Sequence, residues 1–405
     1  MGEATVKIRN LTQFVPLNWP FDEGSVASAG RLLTDARHRF TQAGIEVGTL
    51  GIATPPFLDV LGFPEPALLL EFAHRLETLA VKHRIDAVSI GPVVATTPLS
   101  LLLSIHALPQ LITQTQKIYS GVLFASARSG INLAAARDIG QVIRQVAQAT
   151  PGGRGNLRLA ALANVPPHSP YIATAYQQGS RPCFALAVEA ADVACDAVAS
   201  ARNLAEAKIR LVEAVESAAN YILEIVDDLV DDHQVEFRGI DFSLTPHFGR
   251  KDGLGAAIEK LGVDKFGGSG TLFTVMFLAQ AVQQTAIPHQ HISGVRLPVL
   301  DDPAITQSAA EGRLSVSDLL QYAAVGSTGL DMVPLPGDTP ADTIASILLD
   351  MAALAVAGNR PLSARLLPIP NAAPGDPVLP VPDSGASKLL DRNSFLSLLR
   401  PRRKN

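Results

Sequence analysis

Cysteine is nearly missing. Cys183 and Cys195 are the only two in a chain of 405 residues. Two thiols cannot form a disulfide framework, so a reduced, cytoplasmic setting is expected. An excess of positive charge is missing too. The 33 Lys and Arg face 38 Asp and Glu, a formal net charge of −5, which argues against a nucleic-acid footprint. The chain has no uninterrupted run of about 18 apolar residues, so no membrane span is expected. The opening MGEATVKIRN carries no apolar secretory core. Val6 stands where N-terminal acylation wants Ser or Thr. Neither a strand–GxGxxG–helix fingerprint nor a glycine-rich loop ending in Lys-Ser/Thr occurs, so no nucleotide cofactor is expected.

What is present is core. Apolar residues make up 47% and charged ones 18%, enough to bury a large interior. The length suits one large α/β domain or two ordinary ones. Helical spacing of apolar residues marks 24–44, 66–84, 133–149, one long stretch from 187 to 230, 254–262, 271–284 and 341–357. Between them lie strand-type runs: VKIRNLTQFV, IEVGTLGIA, AVSIGPV, GVLFASA, LRLAALA, CFALAVE, FRGIDFSL, GVRLPVL and ARLLPIP. This alternation predicts a largely parallel α/β architecture, with more strands than an eight-stranded barrel needs. Residues 1–370 read as one domain. Residues 371–405 read as an irregular Pro/Gly/Ser-rich strap with a solvated basic tail, RPRRKN. The low charge and apolar excess favour a homo-oligomer.

Ligands of parallel sheets sit at the C-terminal ends of strands, which selects five loops. After FRGI, Asp241 and Ser243 read either as a capped turn or as a carboxylate and hydroxyl aimed into a pocket, with His247 close by. After GVRLPV come Asp301 and Asp302, only one of which can face a given side. Either the pair caps a helix before Pro303, or one member holds a hard cation such as Mg²⁺ or Ca²⁺. In GSTGLDMVPLPGDTP, Ser327, Thr328, Gly329 and backbone amides could cradle an anion beside Asp331, and Asp338 or Thr339 would cap the next helix. In KFGGSGT, Gly268 and Ser269 lead into a helix whose N-terminus suits an anion, or simply form a tight loop. In ALANVPPHSP, Asn164 and His168 stand on a rigid double-proline loop just beyond a strand. Asp227, Asp228, Asp231 and Asp232 read as a solvated helix face, His289 and His291 as loop residues, and both cysteines as core.

Taken in order, SIGPVVATTP, GINLAAARDI, GNLRLAALANVPPHSPYIATAY, FRGIDFSLTP, LPVLDD, GSTGLDMVPLPGDTPADTIASILLDMAALA and ARLLPIP resemble the DUF711 (UPF0210) family. The resemblance implies a ten-stranded α/β barrel like that of the pyruvate formate-lyase type of glycyl radical enzyme. It implies no glycyl radical here. The end of the chain, SKLLDRNSFLSLLRPRRKN, has no glycine, and Gly326 stands where many relatives carry Cys. The residues that match the family motifs are Asp241, Ser243, Asp301, Asp302, Ser327, Thr328, Gly329 and Asp331, then Asn164 and His168. The expected function is an enzyme for a small anionic metabolite. Asp241, Asp302 and Asp331 would hold Mg²⁺ or Ca²⁺ or move protons with His168, and Asn164, Ser243, Ser327, Thr328, Gly329, Gly268 and Ser269 would contact substrate. The alternative is a small-ligand sensor or structural oligomer.

Overall fold

One mixed sheet of ten strands organises the molecule. The computed structural model describes residues 6–62, 65–96, 102–246, 253–289, 293–372, 377–378 and 396–397. The strands are β1 (Lys7–Phe14), β2 (Val47–Ala53), β3 (Ala87–Val94), β4 (Ile118–Ser126), β5 (Gly130–Ile131), β6 (Leu159–Ala163), β7 (Cys183–Glu189), β8 (Glu236–Asp241), β9 (Gly329–Pro336) and β10 (Leu362–Ile369). Their order is β8-β7-β1-β2-β3-β4-β6-β10-β9, with β5 against β4. β1, β2, β3, β4 and β6 run one way. β7 and β10 join them antiparallel, and β8 and β9 run parallel to those two. The sheet is therefore two parallel blocks of opposite direction, not one parallel array. Among the described residues no continuous ladder closes it. Isolated parallel bridges join Val295 to Leu244, just after β8, and to Ser327, just before β9.

The strands are buried almost end to end, as expected of parallel strands covered on both faces. The main core joins Ile8, Leu11 and Leu50 of the strands to helix residues such as Leu33, Phe72 and Ile139. The segment 164–178 packs against strand residues in two smaller apolar clusters. Ile172 and Ala175 meet Phe14, Ala53 and Cys183, and Tyr171 and Ala173 meet Ala160 and Leu162. Hydroxyls of the strands satisfy its backbone: Thr12 Oγ1 donates to Pro170 O at 2.7 Å and Ser89 Oγ to Ala175 O at 2.6 Å.

The helices follow the periodicity closely, and four expectations depart from the structure. The long stretch begins with β7, then splits into helices Ala191–Ala199 and Leu204–His233. The break falls where Asn203 is extended and its side chain accepts from Glu206 N, starting a new helix. GVRLPVL forms no regular strand and makes only the isolated bridges. GLDMVPLP, expected to be a loop, is β9, a buried strand at the end of the sheet order, where Pro334 and Pro336 are tolerated. Neither Asp338 nor Thr339 caps the helix Ala341–Ala357. Its N-cap is Pro340, and Thr339 Oγ1 donates back to Pro336 O.

Candidate functional site

Three arginines converge on one tyrosine. The guanidinium carbons of Arg296, Arg365 and Arg9 lie 4.0, 5.0 and 5.7 Å from the ring centroid of Tyr171. All four residues are buried. A desolvated cation over an aromatic face gains about 2 kcal/mol, yet ordering guanidiniums inside a protein still requires carboxylates. Four are present. Asp331 Oδ1 accepts from Arg365 Nε at 2.7 Å and lies 2.6 Å from its Nη2. Arg296 stands between Asp241 and Asp331, 3.6 Å from an oxygen of each. Arg9 lies 3.6 Å from Glu189 and 3.9 Å from Asp301.

Bulges aim these side chains. In strict alternation Lys7 and Arg9 would face away from Asn10. The register of β1 against β7 slips between Ile8 and Asn10, and all three line one cavity. A second slip lies between Ala364 and Leu366 of β10, opposite Asp331 and Met332, whose φ is 50°. It sets Arg365 against Asp331. A third slip lies opposite Gly239, with φ 112°, two residues before Asp241. One extra residue bends a strand and redirects its neighbours, which is why bulges gather at sites.

The cavity has a half-buried mouth at Lys7, Gly48, Thr49 and Tyr119, and a buried floor at Arg9, Asn10, Glu189, Asp301 and Arg365. Its free volume is about 30 Å³, room for roughly two waters. It opens at the N-terminal ends of β1, β2 and β4 and the C-terminal end of β7. The search for ligands at C-terminal strand ends thus holds for only one block of the sheet, because the blocks are opposed.

A family model described as "Uncharacterised ACR (DUF711)" matches residues 2–379. The chain belongs to the DUF711 family. A UPF0210 protein of Pyrobaculum islandicum is 30% identical over 355 residues, covering 83% of this chain and 76% of its own. A UPF0210 protein of Leuconostoc mesenteroides is 28% identical over 377 residues, covering 87% and 83%. One of Desulfovibrio desulfuricans is 32% identical over 294 residues, covering 68% and 64%. The family resemblance read from the motifs is therefore correct. No printed name among these relatives states an activity. No helix among the described residues is long and apolar enough to cross a membrane.

Of the residues singled out in the DUF711 motifs, Asp241, Ser243 and Asp331 belong to the centre. Ser243 Oγ donates to Asp241 Oδ1 at 2.5 Å and its N–H donates to the same oxygen at 3.0 Å, which is the capped-turn reading; Asp241 also faces Arg296. Asp302 does not join them. It is the fully buried N-cap of the helix Pro303–Ala310, accepting from Ala304, Ile305 and Gly255 N–H groups. Burial raises its pKa, against the pull of those amides. Asp301, its neighbour, lines the cavity instead. The expected cation triad is thus divided, and among the described residues no three His, Cys, Asp or Glu side chains are grouped for a metal.

Among the described residues, none of the remaining candidates lines that cavity. Ser327 Oγ and the Gly329 backbone bond each other. A Cβ at Gly329, whose φ is 123°, would lie 2.1 Å from Ser363 O. The Thr328 backbone pairs with Val295 and Ser363. Asn164 Oδ1 accepts from Ala127 N and its Nδ2 donates to Ala355 O, both at 2.6 Å. His168 lies at the other end of the inner segment, with Nε2 2.9 Å from Gln177 Oε1 and burial lowering its pKa. Gly268 and Ser269 are exposed, outside the buried centre. His247 and His291 fall outside the described residues. The arginines, Tyr171 and Glu189 were missed, although KIRNL, GVRLP and ARLLP each show one arginine inside an apolar run. Buried arginine needs partners, and that was the available signal.

Proposed function

We propose that this DUF711 protein is an enzyme for a small anionic metabolite, which is held by its carboxylate or phosphate at Arg9 and Arg365, with Glu189 and Asp301 as the proton-transfer groups. The observation that carries this reading is that two buried arginines and two buried carboxylates line one small cavity. A guanidinium matches an oxyanion with two parallel N–H donors. A carboxylate within reach of the bound molecule can take or give a proton. His168, expected to share that task, lies instead on Gln177. The donor set does not fit a divalent cation at Asp241 and Asp331, because Arg296 already stands between them. The Val295 bridges to Leu244 and Ser327 support a barrel closed through residues 293–299. The exposed Leu272 and Phe273 support self-association.

The test is isothermal titration of the full chain with acetate, propionate and inorganic phosphate, beside Arg9→Gln. Binding that weakens about tenfold or more in the variant is expected, from loss of a charge-assisted hydrogen bond. Unchanged affinity in Arg9→Gln, or no binding by any of the three, refutes the anion site. Binding without turnover of any bound compound supports the sensor reading instead. A thermal shift with Mg²⁺ or Ca²⁺ that is lost in Asp331→Asn would reinstate the cation.

A further inference from the structure

The charges around the cavity select the kind of anion, and this step rests on the reading above. Buried Arg9, Arg296 and Arg365 stand against Glu189, Asp241, Asp301 and Asp331, three cations and four carboxylates. Lys7 at the mouth is shared between Glu189 at 4.0 Å and the exposed Glu46 at 2.8 Å. The set therefore holds no cation in excess. A simple anion entering it adds a buried charge with no cation of its own and sets its oxygens beside Glu189 and Asp301. A molecule carrying both signs leaves the sum unchanged.

Asn10 supplies an independent pointer. It is 4% exposed and lines the cavity. Among the described residues its Oδ1 accepts no hydrogen bond. A buried acceptor without a donor is costly, and a carboxylate cannot supply one, because an ionised carboxylate only accepts. An ammonium can: it brings three donors and no acceptor. Glu189, Asp301 and the Asn10 amide oxygen are three acceptors around the same space, while Arg9 and Arg365 are the donors.

We propose that the cavity takes the head of a zwitterion, a carboxylate with an ammonium on the adjacent carbon, as in an α-amino acid. The carboxylate binds Arg9 and Arg365. The ammonium donates to Asn10 Oδ1 and to the Glu189 and Asp301 carboxylates. The free space is smaller than such a head, so the half-buried Lys7 and Tyr119 side chains at the mouth shift outward when it enters, and any side chain points out between Lys7, Gly48, Thr49 and Tyr119.

The experiment is calorimetric titration of the unaltered full chain with glycine, L-alanine, acetate, propionate and methylamine, followed by Asn10→Leu. Glycine or alanine is expected to bind at least about tenfold more tightly than the matching acid, the scale of one hydrogen bond between a charged and a neutral group. Asn10→Leu is expected to remove that advantage while leaving the acids unchanged. If the acids bind as tightly as the amino acids, the zwitterion is overturned and the anion site of the previous section stands. If none of the five nor phosphate binds, both fall. If Asn10→Leu weakens acids and amino acids alike, the ammonium role of Asn10 is overturned. The ligand panel on the unaltered protein decides the matter even if the variant fails to fold.

Discussion

The two ends of the inner segment 164–178 are built on opposite terms. At Tyr171, ions are stacked and paired: three guanidiniums share one ring, and four carboxylates surround them. At His168, the contacts are neutral. The imidazole meets Phe14 edge-on at 5.1 Å, Gln177 Oε1 bridges to it, and Gln177 Nε2 donates to Gly179 and Arg181 carbonyls. Cys183 beside them is buried, and desolvation pushes its thiol pKa up, which disfavours the thiolate. One chain segment thus carries an ionic end and a neutral, anchoring end. The anchoring end spends its polar atoms on neutral groups, with the Gln177 N–H donating to Thr54 O and its side chain joining His168 to the Gly179 and Arg181 carbonyls. The other end leaves a cavity.

The sharpest way to break that contrast is to remove one charge from the Tyr171 end. Asp331→Ala strands Arg365 and Arg296, and a loss of about 3–5 kcal/mol is expected, as for a broken buried ion pair. Urea denaturation followed by circular dichroism measures it. The double variant Asp331→Leu with Arg365→Met should recover much of that loss, because an apolar pair of similar size replaces an ionic one at little cost. A double variant no better than the single one would mean that Arg296 alone depends on Asp331.

A smaller effect is expected when the ring goes. Tyr171→Leu keeps apolar volume and removes the face shared by the arginines. About 2 kcal/mol of stability should be lost, and acetate affinity should change with it. Full retention of both would show that the carboxylates, not the ring, gather the guanidiniums.

The smallest effect lies at the neutral end and depends on pH. Burial holds the His168 pKa below its ordinary value. The unfolded chain therefore takes up a proton below about pH 6.5 while the folded chain stays neutral. This contribution is complete above the unfolded value and is lost as pH falls from there toward the folded one. His168→Asn, which tolerates the left-handed backbone at φ 66°, should flatten the stability curve between pH 7 and 5. An unchanged slope would place the acid sensitivity in other groups.

Much of the fold was legible, for physical reasons. Helices such as Glu23–Gln42 and Leu133–Ala149 bury one stripe each, so their period survives in the sequence. Eight strands announced themselves as short apolar runs. The ninth candidate, GVRLPVL, carries proline and lies between two outer strands with only isolated bridges. β9 was hidden because its two prolines and opening glycine look like turn chemistry. The site was legible only in part. Asp241 was singled out at a strand end and Asp331 in a glycine-rich turn. Asp302 was preferred to Asp301, and the structure sets Asp301 on the cavity and Asp302 on a helix cap, because adjacent residues face opposite sides and only the path of the chain says which side is cavity.

The sequence alone determined the α/β class, the family, the spacing of the helices and the presence of carboxylates near strand ends, because each of these is a local or periodic property. Tertiary structure decided the rest. The opposed direction of the two strand blocks, the bulges that turn Arg9 and Arg365 inward, and the gathering of β1, β7, β8, β9, β10 and residues 296–301 around Tyr171 join residues more than 300 positions apart, such as Arg9 and Arg365. No local pattern encodes such a meeting. It comes from burying many apolar faces at once, which brings a few ionic side chains from distant segments together.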